Sequence, residues 1–347
     1  MTGGAGFIGS HTSLLLLQRG YEIFIIDSFI NSSRKSLERI KAIGKLSNTD
    51  FNEKLHIYEG DLRNKNSITK IFEDAKYMKK KIEGVIHFAG LKAVGESVFN
   101  PIKYWDYNLI STINLLDVMD NFSCKKIVFS SSATIYGRGN EFNLYEDTPI
   151  KPINPYGKTK ATIEDFLTDI FNNPEAKWAI ANLRYFNPIG AHPSGLIGEN
   201  PMGIPNNIFP FITQVALGKL KELSIFGNDW STPDGTGIRD YIHVMDLAEG
   251  HICAMEKLNN FESKIFNINL GTGQGTSVLE LVEIFENINK VKVPYVFTNR
   301  RKGDYPIVVA NNELAKKELN WLPKRNIEDM CKDGWNWQIK NPNGFDF

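Results

Sequence analysis

The sequence predicts an α/β protein, a doubly wound and mostly parallel sheet followed by a smaller mixed α/β part. Three observations carry that expectation. Short apolar runs alternate with amphipathic segments through the first half, a glycine-rich loop stands at the start, and the texture turns loop-rich after Tyr185.

Taken in order, the loop Thr2-Gly3-Gly4-Ala5-Gly6-Phe7-Ile8-Gly9 runs into helical periodicity over Ile8–Arg19. Apolar runs at Tyr21–Asp27, Leu55–Glu59, Gly84–Ala89 and Lys126–Ser131 read as strands. Between them Ser33–Gly44, Ser67–Lys76 and Tyr104–Asn121 carry helical periodicity. A helix over Pro155–Phe171 and a strand over Trp178–Arg184 extend the pattern. Beyond Tyr185, Pro188, Pro193, Pro201, Pro205 and Pro210 mark loops; this stretch, with Phe226–Asp240 and Val291–Phe347, is expected to form a substrate-binding part. The expected division is 1–184 for a dinucleotide-binding domain and 185–347 for the substrate part, with some elements returning to the first. One strand is missing from the pattern. The phosphate loop begins at residue 3, whereas a doubly wound sheet places an apolar central strand just before it. Its absence leaves unpaired backbone groups on both sides, so the sequence is expected to lack several N-terminal residues, through a misassigned start or truncation.

Composition narrows the function. With 347 residues, 42% of them hydrophobic, and 40 basic against 40 acidic side chains, this is ordinary globular composition of zero formal charge. Neither nucleic acid nor a membrane surface is an expected partner. No apolar run approaches the roughly 20 residues that span a bilayer, and nothing reads as a leader, so a cytoplasmic location is expected. Cys124, Cys253 and Cys331 are widely spaced and odd in number, in keeping with reduced packing residues. The six histidines, His192 and His243 included, show no metal-ligand spacing, and no metal is expected.

The glycine loop holds G-x-x-G-x-x-G at Gly3, Gly6 and Gly9, which lets backbone approach a pyrophosphate seated on a helix N-terminus. Ile23–Ile26 runs into Asp27, whose carboxylate can accept from adenosine ribose hydroxyls and repels a 2′-phosphate. That favours NAD over NADP, although Arg34 and Lys35 lie nearby. Asp61 and Phe88-Ala89-Gly90 fall at later strand ends, where cofactors bind in such sheets. Tyr156 and Lys160 share one helix face at i and i+4, with Pro155 suited to the first helical position. An ammonium beside a phenol is expected to lower its pKa and make it a usable base. Y-x-x-x-K alone is common and by itself reads as an ordinary surface pair on a solvated helix. Ser132, at the end of an apolar run, and the glycine loop favour a catalytic role.

These motifs, with Gly60-Asp61-Leu62-Arg63, His87-Phe88-Ala89-Gly90-Leu91-Lys92, Ser130-Ser131-Ser132-Ala133-Thr134 and Tyr156-Gly157-Lys158-Thr159-Lys160, resemble an extended short-chain dehydrogenase. More narrowly they resemble the UDP-glucose 4-epimerases. The likeness runs on through Leu183-Arg184-Tyr185-Phe186-Asn187-Pro188, Gly203-Ile204-Pro205-Asn206-Asn207, Arg239-Asp240-Tyr241-Ile242-His243 and Arg300-Arg301-Lys302-Gly303-Asp304. The resemblance implies a Rossmann-type fold, tightly bound NAD, and interconversion of UDP-galactose and UDP-glucose through a 4-keto sugar. It implies Tyr156 as base, Ser132 bonded to the same hydroxyl, and Lys160 on the nicotinamide ribose. For the dinucleotide it adds the backbone of Phe7 and Ile8, Asp27-Ser28-Phe29-Ile30-Asn31-Ser32, Asp61, Leu62, Phe88, Ala89, Gly90, Leu91, Lys92, Asn108 and Phe186. For the nucleotide sugar it implies Asn187, Asn207, Ile208, Ser224, Phe226, Arg239, Arg301, Asp304 and Val308. Val308, of middling size, implies weak to moderate turnover of UDP-GlcNAc, and the family pattern implies a homodimer through Tyr104–Asn121 and Pro155–Phe171.

Other functions compete. A 4,6-dehydratase needs an acid and a base beside the serine, but Ala133 and Thr134 follow Ser132. A UDP-GlcNAc or UDP-uronate epimerase, or a decarboxylase, stays open. So does a non-catalytic NAD-binding protein, if the first strand is truly absent.

Overall fold

The computed structural model describes residues 1–137, 143–203, 205, 207–301 and 303–345. Ile204, Asn206 and Lys302 of the motifs above therefore lie outside the described residues. Along the chain come α1 (Phe7–Gln18), β1 (Ile23–Asp27), α2 (Arg34–Leu46), β2 (Leu55–Glu59), α3 (Lys65–Tyr77), β3 (Val85–His87), α4 (Val94–Phe99) and α5 (Pro101–Trp105). A π-helical turn at Asp106–Ile110 leads into α6 (Ser111–Asn121), β4 (Lys126–Ser132), a 3₁₀ turn at Ala133–Ile135, β5 (Asn143–Leu144), α7 (Pro155–Asn172) and β6 (Ala179–Tyr185). Next are β7 (Asn187–Ile189), α8 (Ile208–Ala216), β8 (Leu223–Phe226), β9 (Ile238–His243), α9 (Val244–Leu258) and β10 (Lys264–Leu270). The chain closes with β11 (Gly275–Ser277), α10 (Val278–Asn289), β12 (Tyr295–Thr298), β13 (Ile307–Ala310), α11 (Glu313–Leu319) and α12 (Ile327–Lys340). Each element expected in the first half is present, although the helix expected over Tyr104–Asn121 is divided by the π turn.

Two compact units result. The first gathers Met1–Gly137, Ile150–Arg184 and Ala248–Ile268. In it β1 and β2 pair in parallel, as do β3 and β4, and β4, β6 and β10 continue the sheet in that order. Met1 and Thr2 stand where the expected central strand belongs. Thr2 forms parallel bridges to both Ile26 and His87; its N–H donates to the Ile86 carbonyl and its own carbonyl accepts from Phe88 N–H, each at 3.1 Å. The order is thus β2-β1-Thr2-β3-β4-β6-β10, the α/β arrangement that the alternating pattern foretold. Ile127 and Phe129 of β4, Ile180 of β6, and Ile163 and Leu167 of α7 are all buried in one apolar cluster. That packing holds the start of α7 beside the end of β4.

The second unit gathers Arg138–Pro149, Tyr185–Leu247 and Asn269–Phe347. Its sheet runs β11-β9-β13-β5, with β7 also on β9, and β8 pairs with β12 in parallel. Capping boxes start α10, at Ser277 and Glu280, and α12, at Asn326 and Asp329. Phe209, Leu281, Phe285 and Met330 fill its core. Trp321 is buried, while Trp105 and Trp335 are half-buried. Among the described residues no helix is long and apolar enough to cross a membrane.

Candidate active site

In the first unit the residues singled out by sequence gather at the carboxyl ends of parallel strands. Asp27 ends β1, Asp61 lies two residues past β2, Phe88 follows β3, and Ser132 ends β4.

The glycine loop joins Thr2 to α1. Gly3 has φ +66°, and a Cβ on Gly9 would lie 2.2 Å from the Gly3 carbonyl oxygen, so both must be glycine for the loop to close. Gly6 is the N-cap of α1 and no side chain caps that end. Its first-turn N–H groups are suited to an anion. Asp27 is spanned by the loop: Ala5 N–H donates to Oδ2 at 2.9 Å, Phe29 N–H to Oδ1 at 3.0 Å, and Ser32 Oγ to Oδ1 at 2.8 Å. Ser28 and Phe29 are half-buried beyond it, while Ile30 and Asn31 are exposed. Arg34 is held over the Phe29 ring at 4.9 Å and pairs with Glu59. Asp61 is bound by Arg63, whose guanidinium keeps that carboxyl below its usual range. Leu62 is buried. Phe88 packs on His251, with ring centroids 4.6 Å apart. Lys92 is exposed.

Asn108, in the π turn, clamps the next loop. Its Oδ1 accepts from Leu91 N–H at 2.7 Å, and its Nδ2 donates to the Leu91 carbonyl at 3.1 Å and to Thr159 Oγ1 at 3.0 Å. Thr159 Oγ1 in turn donates to the Tyr156 carbonyl at 2.7 Å. A Cβ on Gly90 would meet Asn108 Oδ1 at 3.1 Å and Lys160 Nζ at 3.8 Å, so Ala89-Gly90-Leu91, Asn108 and Lys160 share one small volume.

Helix α7 starts as expected, with Pro155 at N1 and Asn154 Oδ1 accepting from Gly157 N–H at 2.8 Å. A Cβ at Gly157 would fall 2.5 Å from the Thr134 carbonyl oxygen, so glycine lets the first turn of α7 rest on the 3₁₀ turn. Tyr156 then lies beside Ser132, whose hydroxyl favours the ionised phenol. Both are 8% exposed, so the phenol is nearly sealed. Lys160 is buried, donates from Nζ to the Ser130 carbonyl at 2.7 Å, and lies 5.9 Å from the centre of the Tyr156 ring.

The electrostatics correct one expectation. Burial among Leu91, Ala93 and Tyr104 outweighs the expected depression and pushes the Tyr156 pKa up to about 12, only partly offset by the neighbouring Ser132. Burial likewise pulls Lys160 down to about 7, with Glu164 opposing. The physical reason is that the ammonium is spent on a backbone carbonyl rather than on the phenol oxygen, while both groups are cut off from water.

Sequence reasoning missed Thr134, whose N–H and hydroxyl both donate to Ser132 Oγ, at 3.2 and 3.0 Å. With its oxygen so occupied, Ser132 is left to act as a donor. It also missed Thr159. Their places, two residues after the serine and one before the lysine, were the available signals.

In the second unit, Arg239 and Val308 are register partners on β9 and β13. Arg239 Nη2 lies 3.9 Å from Asp304 Oδ2. The Arg301 guanidinium lies over the Phe226 ring at 3.8 Å from its centroid. Desolvation lowers the Arg301 pKa; Asp304 opposes that and the Arg239 cation adds to it, so two guanidinium groups face one carboxylate. Elsewhere in this unit Phe186 N–H donates to the Leu270 carbonyl at 3.4 Å, Asn187 pairs with Tyr241 in register, and Asn207 Nδ2 donates to Glu199 at 2.9 Å just before Ile208 opens α8. Ser224 is exposed on β8, opposite Val296.

A Tyr–Lys–Ser cluster at the end of a parallel strand, beside a glycine loop that opens a helix, defines a protein of the short-chain dehydrogenase class. Residues 1–334 match the family described as GDP-mannose 4,6 dehydratase. The chain is 50% identical over 345 residues to UDP-glucose 4-epimerase 2 of Arabidopsis thaliana, covering 99% of this chain and 96% of that one. Among solved structures, UDP-glucose-4-epimerase from Stenotrophomonas maltophila, with bound NAD and formylated UDP-arabinopyranose, is 42% identical with a TM-score of 0.92, covering 98% of this chain and 97% of that one. UDP-glucose 4-epimerase from Bifidobacterium longum, in complex with NAD+ and UDP, is 46% identical with a TM-score of 0.89, covering 99% and 98%. The chain belongs to the UDP-glucose 4-epimerase family.

Proposed function

We propose that this protein is an NAD-dependent UDP-sugar 4-epimerase that interconverts UDP-galactose and UDP-glucose. The observation that carries the proposal is the buried Tyr156 phenol beside Ser132 at the end of β4, with Lys160 one helical turn on. The chain's own features fit the dinucleotide: Gly9 leaves no room for a Cβ, the N-cap of α1 carries no side chain, and Asp27 organises the loop after β1. NAD, when bound, supplies the acceptor and then the donor of the C4 hydride.

Tyr156 takes the proton from the sugar 4-hydroxyl and returns it to that same oxygen once the 4-keto sugar has presented its other face. Ser132, its oxygen already accepting from Thr134, donates a hydrogen bond to the oxyanion that forms. Lys160 supplies a buried positive charge near the phenol. Because burial raises the pKa of that phenol, the positive charge of protonated Lys160 beside it favours the ionised form that takes the proton. Gly90 and Asn108 hold the backbone that faces Lys160. In the second unit, Arg239 and Arg301 suit the diphosphate, since guanidinium forks bind phosphate oxygens bidentately, and Phe226 offers a flat apolar partner for uracil. Asn187, Asn207, Ile208, Ser224 and Asp304 complete that proposal.

Mixing purified protein with UDP-galactose and coupling product to UDP-glucose dehydrogenase tests the activity directly. Tyr156→Phe is expected to lower turnover by roughly 10²–10⁴-fold with the fold intact; near-full activity would remove the phenol from the chemistry. Val308 supports weak to moderate use of UDP-GlcNAc, and Val308→Tyr is expected to abolish that activity while sparing UDP-glucose. Comparable UDP-GlcNAc turnover by both proteins counts against it. A homodimer and a cytoplasmic location complete the proposal. The dimer is supported by an apolar row on α4, α5, the π turn and α6: Val98, Phe99, Ile102, Ile110 and Ile113 are all exposed.

A further inference from the structure

Three consecutive serines end β4, and each is held by a different turn of α7. Ser132 lies beside Tyr156 and favours its ionised form, the Ser130 carbonyl accepts from Lys160 Nζ at 2.7 Å, and the Ser131 hydroxyl donates to Glu164. Tyr156, Lys160 and Glu164 are spaced i, i+4 and i+8 on one helix face. Glu164 is also the partner of Arg184 on β6, with Nη2–Oε2 2.6 Å and Nε–Oε1 3.0 Å, and both side chains are almost wholly buried. Arg184 Nη1 donates onward to the Tyr136 hydroxyl at 3.0 Å.

A buried ion pair is poor value for stability alone, because desolvating both charges offsets their attraction and apolar replacements are often neutral or better. Its position points to another use. We propose that Glu164 is a positioning residue for the epimerase reaction, fixing the register of α7 on the triple serine and keeping Lys160 in its ammonium form. This rests on the function proposed above. The titratable groups around Lys160 are Tyr156 and Glu164 on its own helix, His87 on β3, which burial holds neutral, and Arg184 on β6 behind Glu164. Glu164 is the one carboxylate among them, and Lys160, pulled down by burial, sits where neutral pH divides its two forms.

The test compares wild type with Glu164→Asp, Glu164→Gln, and the paired apolar variant Glu164→Met with Arg184→Met, which leaves no charge unpartnered. UDP-galactose turnover is followed from pH 6 to 9, with circular dichroism and urea unfolding on the same samples. The neutral variants are expected to fold, to keep KM within about twofold, and to shift the alkaline limb of kcat about one pH unit toward acid. At pH 8 that is a loss of roughly tenfold, and Glu164→Asp is expected to retain the wild-type limb. The pH at which stability begins to rise is expected to move down by about the same unit, a readout independent of activity. A paired variant that folds and keeps the wild-type profile overturns the inference. So does failure of both neutral variants to fold while Glu164→Asp behaves as wild type, which marks a purely structural pair. Inactive wild type would instead sink the proposed function itself.

Discussion

Burial works on Tyr156 and Lys160 in opposite senses, and that has a measurable signature. Lys160 titrates near 10.5 when unfolded and about 7 when folded. Between those values the unfolded chain binds the extra proton, so stability rises with pH across that window, by at most about 1.4 kcal/mol per pH unit. Tyr156 does the reverse between 10.0 and about 12, where the folded phenol keeps a proton that the unfolded one loses, and stability falls. Lys160→Met is expected to flatten the first rise in urea-unfolding midpoints between pH 7 and 9; a slope unchanged from wild type would remove the buried ammonium from this account. The Tyr–Lys spacing was legible in the sequence. Its pKa consequence was not, because Leu91, Ala93 and Tyr104, which dry the phenol, come from more than fifty residues away.

At the scale of elements, the glycine loop tolerates little. Gly9→Ala drives a methyl into a backbone carbonyl, and a loss of about 2–4 kcal/mol is expected, together with loss of co-purifying NAD. Denaturant unfolding and the absorbance of denatured protein measure both, and an alanine variant with wild-type stability and full NAD would contradict the steric account. The π turn shows where periodicity runs out. Tyr104–Asn121 scans as one helix, yet the ladder widens at Asp106–Ile110 and Asn108 makes its two bonds to Leu91 from there. A pattern of apolar residues records which face is buried, but not one extra residue in a turn. Thr134 escaped for a similar reason: its use depends on the 3₁₀ turn that folds it back onto Ser132.

For the whole molecule, the apolar row on α4 to α6 carries the clearest consequence for assembly. Phe99 is 83% and Ile102 84% exposed, and Phe99→Glu with Ile102→Glu is expected to convert a dimer to monomers in sedimentation experiments. An unchanged sedimentation coefficient would place the contact elsewhere. The alternation of strands and helices made the first unit's sheet legible almost to its ends. The second was far less so, since its sheet joins β5, β7, β9, β11 and β13 from distant stretches, and no local pattern announces such pairings.

The path of the chain also limits how the protein can be taken apart. The outer strand of the first sheet, β10, arrives after more than sixty residues of the other unit have been threaded. A truncated gene ending at Arg184 would strip β6 of that neighbour and bare a row of hungry amides and carbonyls, an invitation to aggregate. The first unit is therefore expected not to fold as a fragment cut at Arg184, and domain-exchange schemes are expected to need residues 248–268 with it.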